Sequence, residues 1–141
     1  MTIEQINLVQ QSFGAVATLP AEAVGDLFYN RLFTIAPEVR PLFARTAQPE
    51  QSRKLLAMLG YVINRLNSLE TIMDDVSQLA QRHVRYGVKD HHYALVGEAL
   101  LWTLEKGLGA AWTPSVEEAW TACYTLLSTA MMKSANHPVA V

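Results

Sequence analysis

The chain has 141 residues, half of them hydrophobic and 17% charged, which suits one compact domain with a sizeable core and excludes a disordered chain. Eleven Lys and Arg against thirteen Asp and Glu give a net charge of −2, with the basic residues scattered, so no nucleic-acid footprint is present. The lone Cys123 forms no internal disulfide, no CxxC pair offers a thiolate zinc site, and no apolar run approaches the length of a membrane span. The amino terminus "MTIEQINLVQQSFG" lacks the basic and apolar regions of a secretory leader, so the cytoplasm is the expected compartment.

Apolar residues recur at intervals of three and four, and no stretch alternates with the period of two that strands require. The prolines punctuate this pattern at Pro20, Pro37, Pro41, Pro49, Pro114 and Pro138, because a proline lacks the backbone donor and clashes with the preceding turn. The first predicted helix covers residues 3–17, with Ile6, Val9 and Phe13 on one face. The second runs from near Pro20 to Ile35, with Val24, Leu27, Phe28, Leu32 and Ile35 inward. A short turn at 37–44 is pinned by Pro37 and Pro41. The loop "ARTAQP" leads to a helix over 50–66, and another covers 69–86, stopped by Gly87. A long helix starts after Asp90 as N-cap and ends at Gly107 or Gly109. The last takes Thr113 as cap and Pro114 in its first turn, and runs to Ser134. Seven or eight helices around one core make an all-α, non-repetitive domain over 1–141.

Three polar residues fall on inward faces. His83 lies four residues beyond Leu79 on the stripe Ile72, Val76, Leu79. Gln51 lies one turn before Leu55 on the stripe Leu55, Leu59, Val62, Leu66. Tyr29 neighbours Phe28 and Leu32, which puts its hydroxyl at the core's edge. Each needs a partner when buried. The plain reading of an inward histidine is a ring satisfied by a backbone carbonyl; a metal or cofactor role is the alternative. Zinc is poorly supported: His91 and His92 are adjacent and diverge by about 100° on a helix, and no HxxxH or HExxH occurs. No CxxCH is present for covalent haem attachment, and no GxSxG elbow for a serine nucleophile.

Taken together, "LFYNRLFTIAPEVRPLF", "QSRKLL", "RHVRYGVKDHHYALVGEALLWTLEKGLG" and "TPSVEEAWTACY" resemble a globin. The chain is similar to bacterial single-domain haemoglobins, to the haem domain of flavohaemoglobins and to neuroglobin, over residues 6–132. The resemblance implies a globin fold around non-covalent haem b, with His83 as iron ligand and Phe43 packed on the porphyrin. It places Tyr29 and Gln51 on the distal side, Leu55 over the iron, and Tyr93 beside the proximal histidine. The Leu79 carbonyl is the candidate acceptor for the second ring nitrogen of His83. Lys54, Arg82 and Arg85 are candidates for the haem propionates, against the plainer reading of solvated cations. A phenol and an amide, Tyr29 and Gln51, suit a diatomic ligand carrying partial negative charge.

Two departures from that family matter. Flavohaemoglobins continue into flavin- and nicotinamide-binding domains, whereas this sequence ends at Val141 without a GxGxxG, so any reductase is expected to be separate. The glutamate that hydrogen-bonds the proximal histidine in that family corresponds to Ala135 here, and no Asp or Glu follows Glu118. A site without that charged partner is expected to activate O–O bonds weakly. The leading expectation is a haem protein that binds oxygen reversibly, as a carrier or store, and also other diatomic ligands. The alternatives are a nitric oxide dioxygenase served by a separate reductase, a gas or redox sensor acting through a partner protein, and a haem-free interaction module, the last disfavoured by the presence of both Phe43 and His83.

Overall fold

The computed structural model describes residues 1–44 and 47–136; Arg45 and Thr46 of the expected loop, and His137 and Pro138 near the carboxyl end, lie outside the described residues. Within them the order is α1 (Ile3–Val16), α2 (Ala21–Ile35), a 3-10 segment (Pro37–Phe43), α3 (Gln48–Ile63), a second 3-10 segment (Leu66–Ile72), α4 (Met73–Arg85), α5 (Asp90–Leu108), a 3-10 turn (Gly109–Ala111) and α6 (Pro114–Asn136). No described residue is in a strand, and no described helix is long and apolar enough to cross a membrane.

Side-chain caps open α1, α5 and α6. Thr2 opens α1 with a reciprocal box in which its hydroxyl accepts from Gln5 N–H and the Gln5 side chain accepts from Thr2 N–H. The Thr113 hydroxyl accepts from Val116 N–H at 3.3 Å, as expected of the α6 cap, an interaction worth about 1 kcal/mol. Pro49 lies in the first turn of α3, which therefore begins two residues earlier than the expected Glu50 and ends at Ile63 rather than Leu66.

The expected helix over 69–86 is two elements. Ser68 breaks the helical backbone at φ −146°, a 3-10 stretch follows, and the α-helix starts only at Met73. The expected N-cap of α5 also moves. Lys89 is the cap and Asp90 the first helical residue. His92, at the third helical position, accepts from Lys89 N–H through Nδ1 at 2.9 Å, which does the work a glutamate does in a capping box. Asp90 instead accepts from Asn136 Nδ2 at 3.1 Å, pinning the start of α5 to the end of α6.

The main core joins α1, α2, α5 and α6 around Val9, Phe13, Phe28, Leu32, Leu104 and Trp120. The Trp120 indole donates to Ser12 Oγ at 2.8 Å, and Ser12 donates onward to the Leu8 carbonyl, so the buried N–H of the largest core side chain is satisfied. A second, smaller cluster of Val62, Ile72 and Val76 packs against α6 through Leu127 and Met131.

The α2–α3 crossing is the tightest in the molecule. A Cβ on Gly25 would fall 1.8 Å from Ser52 Oγ, so only glycine fits there. Ser52 is itself fully buried, and its hydroxyl donates to the Gln48 carbonyl at 2.9 Å. Gln48 Nε2 reaches across to Asp26 at 2.7 Å, and an exposed Arg53–Glu22 pair at 3.1 Å adds little. By contrast α4 packs on α6 and on the second 3-10 segment, not extensively on α3. The two helices touch through Val62 and Val76 and through the Tyr61 hydroxyl, which donates to Asp75, and make little contact elsewhere.

Candidate functional site

The site residues expected on α3 and α4 are half-buried: Gln51 and Leu55 on α3, and Leu79, Arg82 and His83 on α4. Leu79 joins neither hydrophobic cluster although it is partly covered. An apolar side chain in that position offers surface to something other than the core.

His83 is fixed twice. Its Nδ1 lies 2.8 Å from the Leu79 carbonyl, which can only accept, so Nδ1 carries the proton and Nε2 keeps its lone pair. The backbone carbonyl of His83 accepts from Val88 N–H at 3.0 Å while Gly87 donates to Val84, the paired bonds of a Schellman closure. Gly87, at φ 94°, supplies the left-handed residue this closure needs and stops α4 as expected. Burial is the main influence on the imidazole and lowers its pKa; the Leu79 carbonyl opposes it, and Arg82 reinforces it. His83 is therefore held neutral, and no described residue hydrogen-bonds its Nε2.

The Pro37–Phe43 segment brings Phe43 against Tyr29, with ring centres 5.3 Å apart and nearly perpendicular. Tyr29 also meets Phe28 and Phe33. Its hydroxyl finds only the Gln51 carbonyl, at 3.5 Å. Burial pushes the phenol up to about 12, partly offset by the nearby Gln51, so it remains a protonated donor. Tyr29, Phe43 and Gln51 share a cavity of about 440 Å³ with Phe33, Arg40 and Gln48 among its other walls. His83 and Leu79 stand outside that lining, on α4.

The remaining expected site residues fall as follows. Leu55 is half-buried and packs on the main core. Lys54 is exposed and lies 3.5 Å from Glu50, one turn back. Arg82 is half-buried and Arg85 exposed. Tyr93 is buried, and its carbonyl accepts from the Tyr124 hydroxyl at 2.6 Å, which ties the start of α5 to α6. Ala135, where the sequence suggested a missing carboxylate, sits half-buried near the end of α6. Of the adjacent histidines, His91 is exposed. His92 is buried to 8% exposure, with its ring held in the capping bond from Lys89 N–H. No three His, Cys, Asp or Glu converge among the described residues.

Residues 26–131 match the family model for Globin. The chain belongs to the globin family. It is 31% identical over 130 residues to a flavohemoprotein of Vibrio cholerae, covering 91% of this globin but 33% of that relative. It is 30% identical over 122 residues to a neuroglobin of Danio rerio, covering 77% of each. Among solved structures it is similar to a bacterial globin of Campylobacter jejuni, with TM-score 0.83, 25% identity and 96% of each chain covered. An engineered carbene transferase made from a candidate nitric oxide dioxygenase of Rhodothermus marinus shares the fold, with TM-score 0.85, 24% identity, and 97% and 94% of the two chains covered.

Five residues of this globin's cavity escaped the sequence reading as site residues: Phe33, Arg40, Pro41, Ala44 and Gln48. Phe33 carried a signal, since it lies one turn after Tyr29 on the same helix face. Arg40 and Gln48 carried none, because the corner that joins them depends on how α2 and α3 cross.

Proposed function

We propose that this globin binds haem b non-covalently between α3 and α4, with His83 Nε2 as the iron ligand, and that it binds oxygen reversibly as a carrier or store. The observation that carries this reading is the Leu79 carbonyl on His83 Nδ1, which leaves a neutral imidazole with its lone pair unpartnered on Nε2. The half-buried Leu79 and Leu55, and the Phe43 ring, suit a flat apolar group on either side of that nitrogen.

When bound, haem supplies an iron that accepts a diatomic gas. The protein does the rest. The Schellman closure and the Leu79 carbonyl fix the direction and tautomer of His83. Tyr29, held protonated, and the Gln51 amide donate to a ligand that acquires negative charge. Phe43 and Leu55 exclude water. Arg82, and Lys54 once released from Glu50, would pair with the propionates. Tyr93 is positioned by Tyr124 at the base of the proximal side.

The test is an absorption spectrum of the purified chain in its ferric, ferrous and oxygenated forms, together with His83→Ala. The wild type is expected to show a strong Soret band, and His83→Ala to lose most haem retention. Unchanged haem loading in the variant would refute the assignment of His83.

A nitric oxide dioxygenase is the second reading, favoured by the pairing of Tyr29 with Gln51 and by the named flavohemoprotein relatives. It requires a separate reductase to return ferric iron to ferrous. Sustained turnover with a cellular reductant distinguishes it from a carrier. The carrier reading ranks first because the described acceptor on His83 Nδ1 is a neutral carbonyl, and Ala135 stands where a carboxylate would strengthen it.

A further inference from the structure

The cavity beside Tyr29 and Gln51 has one charged wall, Arg40, that the gas-binding role does not use. Arg40 is anchored by its neighbours: Val39 is buried, and Pro41 follows within the same 3-10 segment. Its guanidinium carbon lies 4.6 Å from the centre of the Phe33 ring. That contact covers one face of the guanidinium but leaves the N–H donors, which lie in its plane. Among the described residues Arg40 makes no ion pair and no side-chain hydrogen bond. Arg53 pairs with Glu22, and Arg65, also stacked on a ring, donates to the Tyr61 carbonyl, whereas Arg31 stacks on Trp102 with no ion pair or side-chain hydrogen bond among the described residues, as Arg40 does on Phe33. What sets Arg40 apart is its place on the cavity wall, where Gln48 already gives its amide to Asp26. Arg40 is therefore an exposed cation with free donors at the edge of a mostly apolar cavity, where low-dielectric walls concentrate its field.

We propose that Arg40 makes this cavity's mouth a site for a small, planar, univalent oxoanion. The guanidinium fork matches two oxygens of a carboxylate, nitrite or nitrate in one plane. Two sources share that chemistry: a propionate carboxylate of bound haem, or a free nitrogen oxoanion. Only the first source rests on the haem reading above.

The full chain, as purified, is titrated with sodium nitrate against sodium chloride at equal ionic strength while the Arg40 Nε–H resonance is followed by ¹⁵N NMR. In parallel, haem loss to an excess of a haem acceptor is timed for the wild type and Arg40→Gln, each loaded with haem or with haem dimethyl ester. A nitrate-specific shift of the resonance assigns the site to a free oxoanion. Haem loss faster by about three- to tenfold in Arg40→Gln, with the ester abolishing the difference, assigns it to a propionate. If neither change occurs, the oxoanion site is wrong. If the chain takes up no haem, the haem reading fails, and the nitrate titration alone decides the site, with no shift overturning it.

Discussion

Tyr29 has a buried ring and an under-used hydroxyl. A 3.5 Å approach to the Gln51 carbonyl is at the limit of a hydrogen bond, so the phenol can turn to a better acceptor at small cost. Its burial keeps it protonated across the physiological range. Tyr29→Phe combined with Gln51→Ala removes two donors from a ligand with partial charge. Each such bond is worth about 1.5–3 kcal/mol, so oxygen dissociation is expected to quicken by roughly tenfold or more. Stopped-flow ligand replacement measures it; an unchanged off-rate would mean that neither residue faces the ligand. His83 and Gln51 were legible from the sequence because a polar residue on an apolar stripe is conspicuous. The burial of His92 was not legible, because its inward turn comes with a cap, which the apolar pattern does not encode.

At the scale of an element, α5 starts on an imidazole. His92 accepts from Lys89 N–H only while Nδ1 is unprotonated. Burial is the first cause lowering its pKa; His91 and Lys89 also lower it, and Glu38 opposes them. The unfolded chain therefore takes up this proton more readily than the folded one. The stability from His92 is complete above its ordinary value of 6.5 and is lost as pH falls below it. His83 has the same sign in the haem-free chain. Thermal midpoints of the haem-free protein are expected to decline below pH 6.5, and more shallowly in His92→Gln, whose amide oxygen accepts from Lys89 at any pH. Identical slopes for the variant and the wild type would remove His92 from this account. The helices were readable in number and order from spacing and proline placement. The 66–72 break was not, because Ser68 departs from helix inside a sequence whose apolar spacing stays helical.

For the whole molecule, the core is divided into two clusters, the smaller of which joins α3 to α4 through Val62 and Val76. A group that binds only the folded chain adds contacts absent from the unfolded one. Haem at a hundredfold over its dissociation constant is expected to stabilise the fold by about 2.7 kcal/mol, which raises the melting midpoint by roughly ten degrees in a domain of this size. Calorimetry of the haem-free and reconstituted protein checks this, and equal midpoints would show that haem does not seat in the fold. The all-α architecture followed from local pattern, whereas the division of the core depends on which helices pack together, information no single stretch carries.

The contact between Gly25 and Ser52 bears on motion as well as packing. Gly25 stands one turn before Tyr29, and Ser52 directly follows Gln51. Two rods held closest at one crossing are expected to move least there, because displacement grows with distance along each lever arm. Tyr29 and Gln51 sit beside that crossing, so the spacing of these two donors is expected to vary less than that of the far ends of α2 and α3.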